Sequence, residues 1–174
     1  MAMGRDNRRD FNRDSEYKEK VVNIARVTKV VKGGKKMGFR AVVVVGDMKT
    51  KVGLGIGKAA EVSAAIRKGV EAGKKGLLDV SLYSGTIPHD VIGNFSASTV
   101  VLRPAPKGTG VIAGGAVRTI LELAGLKNIV AKSIGSANPI NVARATLSAL
   151  GSLKKLETLT AQRGKEPKVS YVEA

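Results

Sequence analysis

The chain contains no cysteine, so disulfide bonds and thiolate metal sites are excluded. Histidine occurs once, at His89, between Pro88 and Asp90. Nucleophilic and acid–base catalysis depend on a small set of residue types, and these are scarce here. Catalysis by His89 would need a hydroxyl partner such as Ser84, and nothing in the spacing brings the two together.

Aromatic residues are also few, with no tryptophan, three tyrosines and three phenylalanines. Recognition of unpaired bases by stacking on aromatic side chains is therefore disfavoured. Acidic residues are outnumbered, because 30 Lys and Arg face 14 Asp and Glu and give a net charge of +16. So positive a chain is expected to bind a polyanion, and nucleic acid is the leading partner.

A membrane is a weaker candidate for the anionic partner. The basic residues are scattered along the chain rather than set opposite one long apolar helical face, and no apolar run is long enough to span a bilayer. The N-terminus mixes acids with arginines and lacks an apolar core, so it is not typical of a secretory signal or a transit peptide. A cytoplasmic location is expected.

Residues 1–16 are polar and without periodicity, which predicts a disordered basic arm. Its arginines either contact RNA or only keep the chain soluble: Arg5, Arg8, Arg9 and Arg13. Residues 161–174 are predicted to form a polar tail.

The stretch Val27–Ala59 organises the rest of the sequence. Two apolar strands carry a glycine-lysine loop at one end and a glycine-lysine turn into a helix at the other. Such a loop combines cations with backbone that can approach a ligand closely, which favours phosphate binding. The loop residues are Lys32, Gly33, Gly34, Lys35 and Lys36.

Glycines alternate with apolar residues in the second half of this stretch. Gly53, Gly55 and Gly57 leave one face of the predicted strand bare. A bare face suits either close approach by a nucleic-acid backbone or another protein, or tight packing within the sheet. The pattern does not choose between the two.

Periodicity predicts an α+β fold in two units. In the first, the opening strand changes phase near Ala25 and Arg26, and a three-stranded meander precedes a helix that ends at Gly76: 17–31, 39–46, 50–56 and helix 58–75. The second is predicted to contain strands 77–83, 88–95, 97–103 and 129–134, a helix over 114–125, and a helix from Asn138 to about 153. The predicted division is an arm at 1–16, an RNA-binding domain at 17–80, an α/β domain at 81–160 and the tail.

Two glycine-rich segments resemble nucleotide-binding loops. Gly53–Lys58 fails the Walker pattern, because Val52 stands where glycine is needed and Ala59 where Ser or Thr is needed. The dinucleotide pattern also fails in its glycine spacing. Gly108–Gly115 precedes a predicted helix and is a weak anion-site signal.

A nucleotide-using enzyme therefore stays only as an alternative. The carboxylates of Asp79, Asp90 and Glu122 are isolated in the sequence, so they predict neither a metal site nor a paired acid and base. No cofactor, metal or small-molecule substrate is expected.

Four long segments in order resemble one family. They are KGGKKMGFRAVVVVGD (32–47), VGLGIGKAAEV (52–62), KGTGVIAGGAVRTILELAG (107–125) and AKSIGSANPINVARATL (131–147). Together they closely resemble the bacterial-type small-subunit ribosomal protein S5 family, over about residues 17–165. The resemblance implies an N-terminal domain similar to a double-stranded-RNA-binding domain, with a three-stranded sheet plus helix, and a C-terminal two-layer α/β domain with a left-handed crossover.

The resemblance also implies a function without enzymatic activity. Members bind small-subunit ribosomal RNA at the body–head junction, support subunit assembly and translational accuracy near the path by which messenger RNA enters, and neighbour proteins S4 and S8. The loop at 32–36 matches one that reaches the head RNA near the spectinomycin-binding region. Arg40, Lys51 and Lys58 match segments expected to contact phosphate. The segment facing S4 matches Lys107, Gly108, Thr109, Gly110, Gly114 and Gly115. The alternative function that also rests on RNA binding by the basic residues is a free-standing regulator that binds duplex RNA.

Overall fold

The computed structural model describes residues 17–164, so the predicted arm at 1–16 and the predicted tail beyond Gly164 lie outside the described residues. Its strands are β1 (Lys18–Val31), β2 (Gly34–Gly46), β3 (Lys51–Ala59), β4 (Leu77–Asp79), β5 (Val91–Phe95), β6 (Ser98–Pro104), β7 (Val111–Ile112) and β8 (Ile129–Gly135). Its helices are α1 (Val62–Lys75), α2 (Gly115–Leu123), α3 (Pro139–Gly151) and α4 (Leu156–Arg163). The α+β class is confirmed.

The first sheet has the order β1-β2-β3-β4, and all its strands are antiparallel. The predicted three-stranded meander is present, and the short β4 extends it. The prediction that residues 77–83 begin the second unit was wrong in this respect, because Leu77 and Leu78 pair with β3. The irregularity of β1 lies between Val21 and Asn23 rather than near Ala25, since the register shifts there.

The glycine-lysine loop is shorter than predicted. Only Lys32 and Gly33 form the turn, and β2 already begins at Gly34. A two-residue hairpin turn requires positive φ, which Gly33 supplies at 86°. Lys35 and Lys36 are therefore strand residues with fixed directions.

Helix α1 lies on one face of this sheet and begins at Val62, four residues later than predicted. Gly57 and Lys58 belong to β3, so the predicted glycine entry into the helix was wrong. The helix ends where predicted, with Gly76 as its C-cap.

The glycines of β3 pack against α1. A Cβ added at Gly53, Gly55 or Gly57 would collide with the backbone carbonyl of Gly73, Gly69 or Ala65, respectively. The face is therefore covered and cannot receive a nucleic-acid backbone. Tight packing is the correct interpretation of the alternating glycines.

The second sheet has the order β5-β6-β8-β7, and only β7 and β8 run parallel. Helix α2 connects these two strands, and α3 packs on β5 and β6. Asn138 caps α3 as predicted, because its side chain accepts a hydrogen bond from the backbone N–H of Ile140 at 3.2 Å. The short β7 lies between the predicted strand 97–103 and the predicted helix 114–125, and α4 occupies part of the predicted polar tail.

One hydrophobic core joins the two sheets. Val44 and Val52 from the first sheet lie in the same cluster as Ile120, Leu121 and other buried residues of the second unit. The other face of β2 packs under α1 in a smaller cluster that contains Ala41, Val43 and Val45. The backbone N–H of Met48 also donates to the carbonyl of Leu123 at 2.9 Å. The contact between the two sheets is therefore a packed interior rather than a loose hinge.

Candidate nucleic-acid interface

Four cations share one face of the first sheet at its hairpin end. Lys29 lies directly opposite Lys36, and Arg40 lies directly opposite Lys58. Directly opposed residues of an antiparallel pair project to the same face, and positions two apart along a strand do so as well. Since α1 packs on the odd-numbered positions of β2, the even-numbered Lys36 and Arg40 project away from it. We call these four side chains the cationic face.

The cationic face works against stability rather than for it. Like charges placed directly across an antiparallel pair destabilise it. Lys29, Lys36 and Lys58 are exposed, and no ion pair joins any of them to an acid within residues 17–164. An arrangement that costs free energy in the isolated chain is explained if a polyanion neutralises it.

Arg40 differs from the three lysines in its burial. The residue is half-buried, and its Nε is buried without a hydrogen-bond partner in the described part of the chain. Buried donors are nearly always satisfied in folded proteins. The Nε–H of Arg40 is thus unsatisfied among the described residues, while the positive charge of the half-buried side chain remains part of the cationic face.

The tip of the hairpin carries further cations. Lys32 lies in the turn, and Lys35 projects to the face opposite Lys36 because successive strand residues alternate. Gly33 and Gly34 have open space around them. Phosphate groups could therefore reach the tip from either side.

Lys51 is the one predicted contact that the structure sets apart. It begins β3, opposite Asp79, whereas Lys58 lies near the end of the same strand. Seven residues of extended chain separate the two by about 23 Å. If Lys51 contacts phosphate as predicted, it does so on a surface separate from the cationic face.

Sequence reasoning missed Lys29. The signal was available, since Lys29 and Lys36 are symmetric about the turn at Lys32 and Gly33 and must face each other in a two-residue hairpin. The turn was instead assigned as a longer loop, which hid the pairing.

The predicted protein interface is a separate surface, built on an ordered loop. The buried Asn128 side chain accepts hydrogen bonds from the backbone N–H groups of Gly108 at 3.1 Å and Gly110 at 3.2 Å. Both glycines have positive φ, 93° and 76°, which other residues rarely adopt. A Cβ at any glycine of the loop would meet open space, so the loop presents bare backbone: Gly108, Gly110, Gly114 and Gly115. Lys107 is exposed and Thr109 half-buried beside them.

His89 acts as a local structural residue. Its Nδ1 lies 2.8 Å from the carbonyl of Asp90, and its Nε2 accepts a hydrogen bond from the backbone N–H of Lys154 at 3.3 Å. Both ring nitrogens are thus engaged with backbone. Among residues 17–164, no group of three or more His, Asp or Glu side chains is placed to hold a metal ion.

The acidic side chains with shifted pKa values serve the fold. Hydrogen bonds from Arg118 and Lys20 lower the pKa of Glu122. Burial raises the pKa of Asp47, but backbone N–H groups of Lys49, Thr50 and Lys51 donate to its carboxylate and outweigh burial, so the net shift is downward. The first carboxylate joins α2 to β1, and the second closes the turn between β2 and β3. Across the described residues, no helix has both the length and the apolar character that crossing a membrane demands.

Fold and surface together define a class: a basic binding protein of two α+β units, with a cationic hairpin and an ordered glycine loop. Comparison with known proteins gives the family. Residues 17–81 match the family model described as ribosomal protein S5, N-terminal domain, and residues 93–163 match that described as ribosomal protein S5, C-terminal domain. The chain belongs to the ribosomal protein S5 family.

Individual relatives agree with the family models. The chain is 55% identical to small ribosomal subunit protein uS5 of Acaryochloris marina, over 97% of this chain and 98% of the relative. It is 56% identical to the protein of the same name from Crocosphaera subtropica, over 94% and 95%. For that of Syntrophobacter fumaroxidans the identity is 55%, over 85% and 89%. By family, the chain is a structural ribosomal constituent and not an enzyme.

Proposed function

We propose that this chain binds small-subunit ribosomal RNA through its cationic face and hairpin tip. The observation that carries the proposal is the pair of opposed cationic rungs, Lys29 with Lys36 and Arg40 with Lys58, which have no acidic partner in the described residues. The net charge of +16 supplies the long-range attraction.

The chemistry favours folded, double-stranded RNA over single strands. A-form RNA is recognised through its shape, its phosphates and its 2′-hydroxyls, which calls for cations and hydrogen-bond donors. The hairpin supplies both and carries no aromatic residue at its tip. Residues 34–38 of β2 extend beyond the end of β3, and five strand residues project by about 16 Å.

The family supports a finer assignment. The chain is proposed to sit in the cytoplasmic small subunit at the body–head junction, near the path by which messenger RNA enters, and to support assembly and translational accuracy. The tip at 32–36 is proposed to reach the head RNA near the spectinomycin-binding region. The ordered loop at 107–115 is proposed to face protein S4, with S8 as a further neighbour. The division into RNA-binding residues 17–80 and α/β residues 81–160 is proposed with it.

Sucrose-gradient sedimentation of a lysate tests the assignment. At moderate and high salt, the protein is followed across the gradient by quantitative mass spectrometry. Stoichiometric presence in small-subunit particles at both salt concentrations is expected. Protein found only at the top of both gradients would contradict the assignment, and binding to isolated RNA duplexes would then identify a free-standing regulator.

A further inference from the structure

A groove of about 500 Å³ opens where β2 runs past the end of β3. Three lysines line it, and no acidic residue does: Lys29, Lys36 and Lys58. The rest of its lining is apolar or small, including Val27, Met37, Phe39, Ala59 and Ala60. On the face of the lysines the lining between them is Val27 and Gly38, whereas Met37, Phe39 and Ala59 alternate to the other face, so the groove follows the free edge of β2.

Backbone geometry shapes the groove. Pairing between β2 and β3 begins at Phe39 and Ala59, so residues 34–38 have β1 on one side and no strand on the other. A Cβ at Gly38 would approach the carbonyl oxygen of Ala59 to 3.0 Å. Glycine therefore keeps the groove open between the two cationic rungs.

The unpaired edge adds donors to the charges. A strand edge without a neighbour presents free N–H groups, and cations combined with backbone N–H groups are a common way to hold phosphate. Arg40, two residues beyond Gly38 on the same face, adds a further positive charge beside the groove.

We propose that this groove holds one sugar–phosphate unit of the bound RNA strand. Lys29 and Lys36, which face each other across β1 and β2, share a single phosphate, and Lys58 approaches it from β3. Val27 and Gly38, on the same face as the lysines, contact the ribose carbons. This inference rests on the proposed function, and it adds Lys29 and a defined subsite to it.

The volume and the lining favour this ligand over its alternatives. Pockets for small organic ligands usually measure about 300–1,000 Å³, and the groove lies within that range, so it exceeds what one inorganic phosphate needs. A free nucleotide would present the same phosphate and ribose. It would, however, lack the neighbouring phosphates that the tip and Arg40 can contact.

The salt dependence of binding to transcribed small-subunit ribosomal RNA tests the proposal. The logarithmic slope counts neutralised phosphates, each worth about 0.7–0.9. The variants are Lys29→Gln, Lys36→Gln and both together, with Lys18→Gln as a matched control, because Lys18 is exposed at the far end of β1. Thermal unfolding verifies that each variant is folded.

Shared coordination predicts a non-additive result. The double variant should lose about one phosphate contact's worth of slope and no more, while the control keeps the wild-type slope. A loss worth two phosphate contacts would show that the lysines hold separate phosphates and would overturn the subsite. An unchanged slope in both single variants and the double variant would overturn it as well.

Two further arms separate this inference from the function on which it rests. If wild-type protein binds ribosomal RNA but the variants keep its slope, only the groove is refuted; if wild-type protein does not bind, the proposed function fails too. Amide spectra of Gly38 and Ala59 are then recorded with inorganic phosphate or adenosine monophosphate at constant ionic strength. Little change is expected at millimolar concentration, and saturable binding of either probe would reassign the groove to a free small anion.

Discussion

The two ends of the first sheet contrast within a single strand. Residues 41–45 of β2 are at most 1% exposed, enclosed by α1 on one face and the joint core on the other. Residues 34–37 of the same strand are exposed and carry Lys35 and Lys36. The strand therefore combines a buried half that stabilises the fold with a projecting half that costs stability and is suited to binding.

The division between the halves has a simple physical cause. β3 ends at Ala59 and α1 starts soon after, so nothing further along covers β2. Arg40 lies at the boundary, half-buried, opposite Lys58. The cationic residues of β2 therefore lie where its packing against α1 and the joint core ends.

The largest effect is expected from a side chain placed in the buried half. Gly55→Val should prevent stable folding, because its Cβ would collide with the backbone of Gly69 and Gly73, which cannot rotate away. Overpacking of interiors typically costs about 1–3 kcal/mol, and a backbone clash on a central strand exceeds this. Chemical denaturation of the soluble fraction measures it.

Gly115→Ala is the matched control for that variant. A Cβ at Gly115 meets open space, and the residue lies in the first turn of α2, where alanine is favoured over glycine. Its free energy of unfolding should stay within about 0.5 kcal/mol of wild type. Equal loss of stability in the two variants would contradict the packing argument.

An intermediate effect is expected from the core that joins the sheets. Leu121 is fully buried in the cluster that also contains Val44. Leu121→Ala should lower the free energy of unfolding by about 2–5 kcal/mol. Because the core is shared, probes in the first and second sheets should report one coincident transition. Separate transitions would show that the sheets are stabilised independently.

The smallest effect is expected from the ion pairs of Glu122, one of which joins the two units. Glu122 lies 2.9 Å from Lys20 of β1 and 2.8 Å from Arg118 of its own helix. These partners lower its pKa, so the carboxylate contributes stability above its unfolded-state pKa and loses it as the pH falls through the lowered folded value. The cations are more than half exposed, so the contribution should be only about 0.5 kcal/mol.

Comparing wild type with Glu122→Gln across acidic pH measures this contribution. The difference in unfolding free energy should be present near neutral pH and vanish in acid, and it should shrink with added salt. A difference that grows as the pH falls would have the wrong sign for a lowered pKa.

Most of the fold could be predicted from periodicity and from the family resemblance. The long helices and strands carry enough residues for a pattern, and Asn138 and Gly76 mark helix ends by their own chemistry. β7 has only two residues, too few to show a period. The sheet to which β4 belongs is decided by tertiary pairing with β3, which its own sequence does not encode.

The candidate site was predicted in composition but not in geometry. The lysines around Gly33 and Gly34 stand out in any reading, whereas Lys29 gains its role only from the register of the hairpin. The glycines of β3 show the converse. Their pattern is the same whether a helix or a nucleic acid covers them, and only the position of α1 decides.

The measurement that most directly tests the division of β2 combines unfolding with RNA binding for one double variant. Lys36→Gln with Lys58→Gln removes two cations from the projecting end, and Lys18→Gln with Lys127→Gln removes two exposed cations elsewhere. The first variant should unfold within about 0.5 kcal/mol of wild type and yet bind small-subunit ribosomal RNA several-fold more weakly than the second. Equal RNA affinity in the two variants, or a clear loss of stability in the first, would contradict the assignment of stability to one end of the strand and binding to the other.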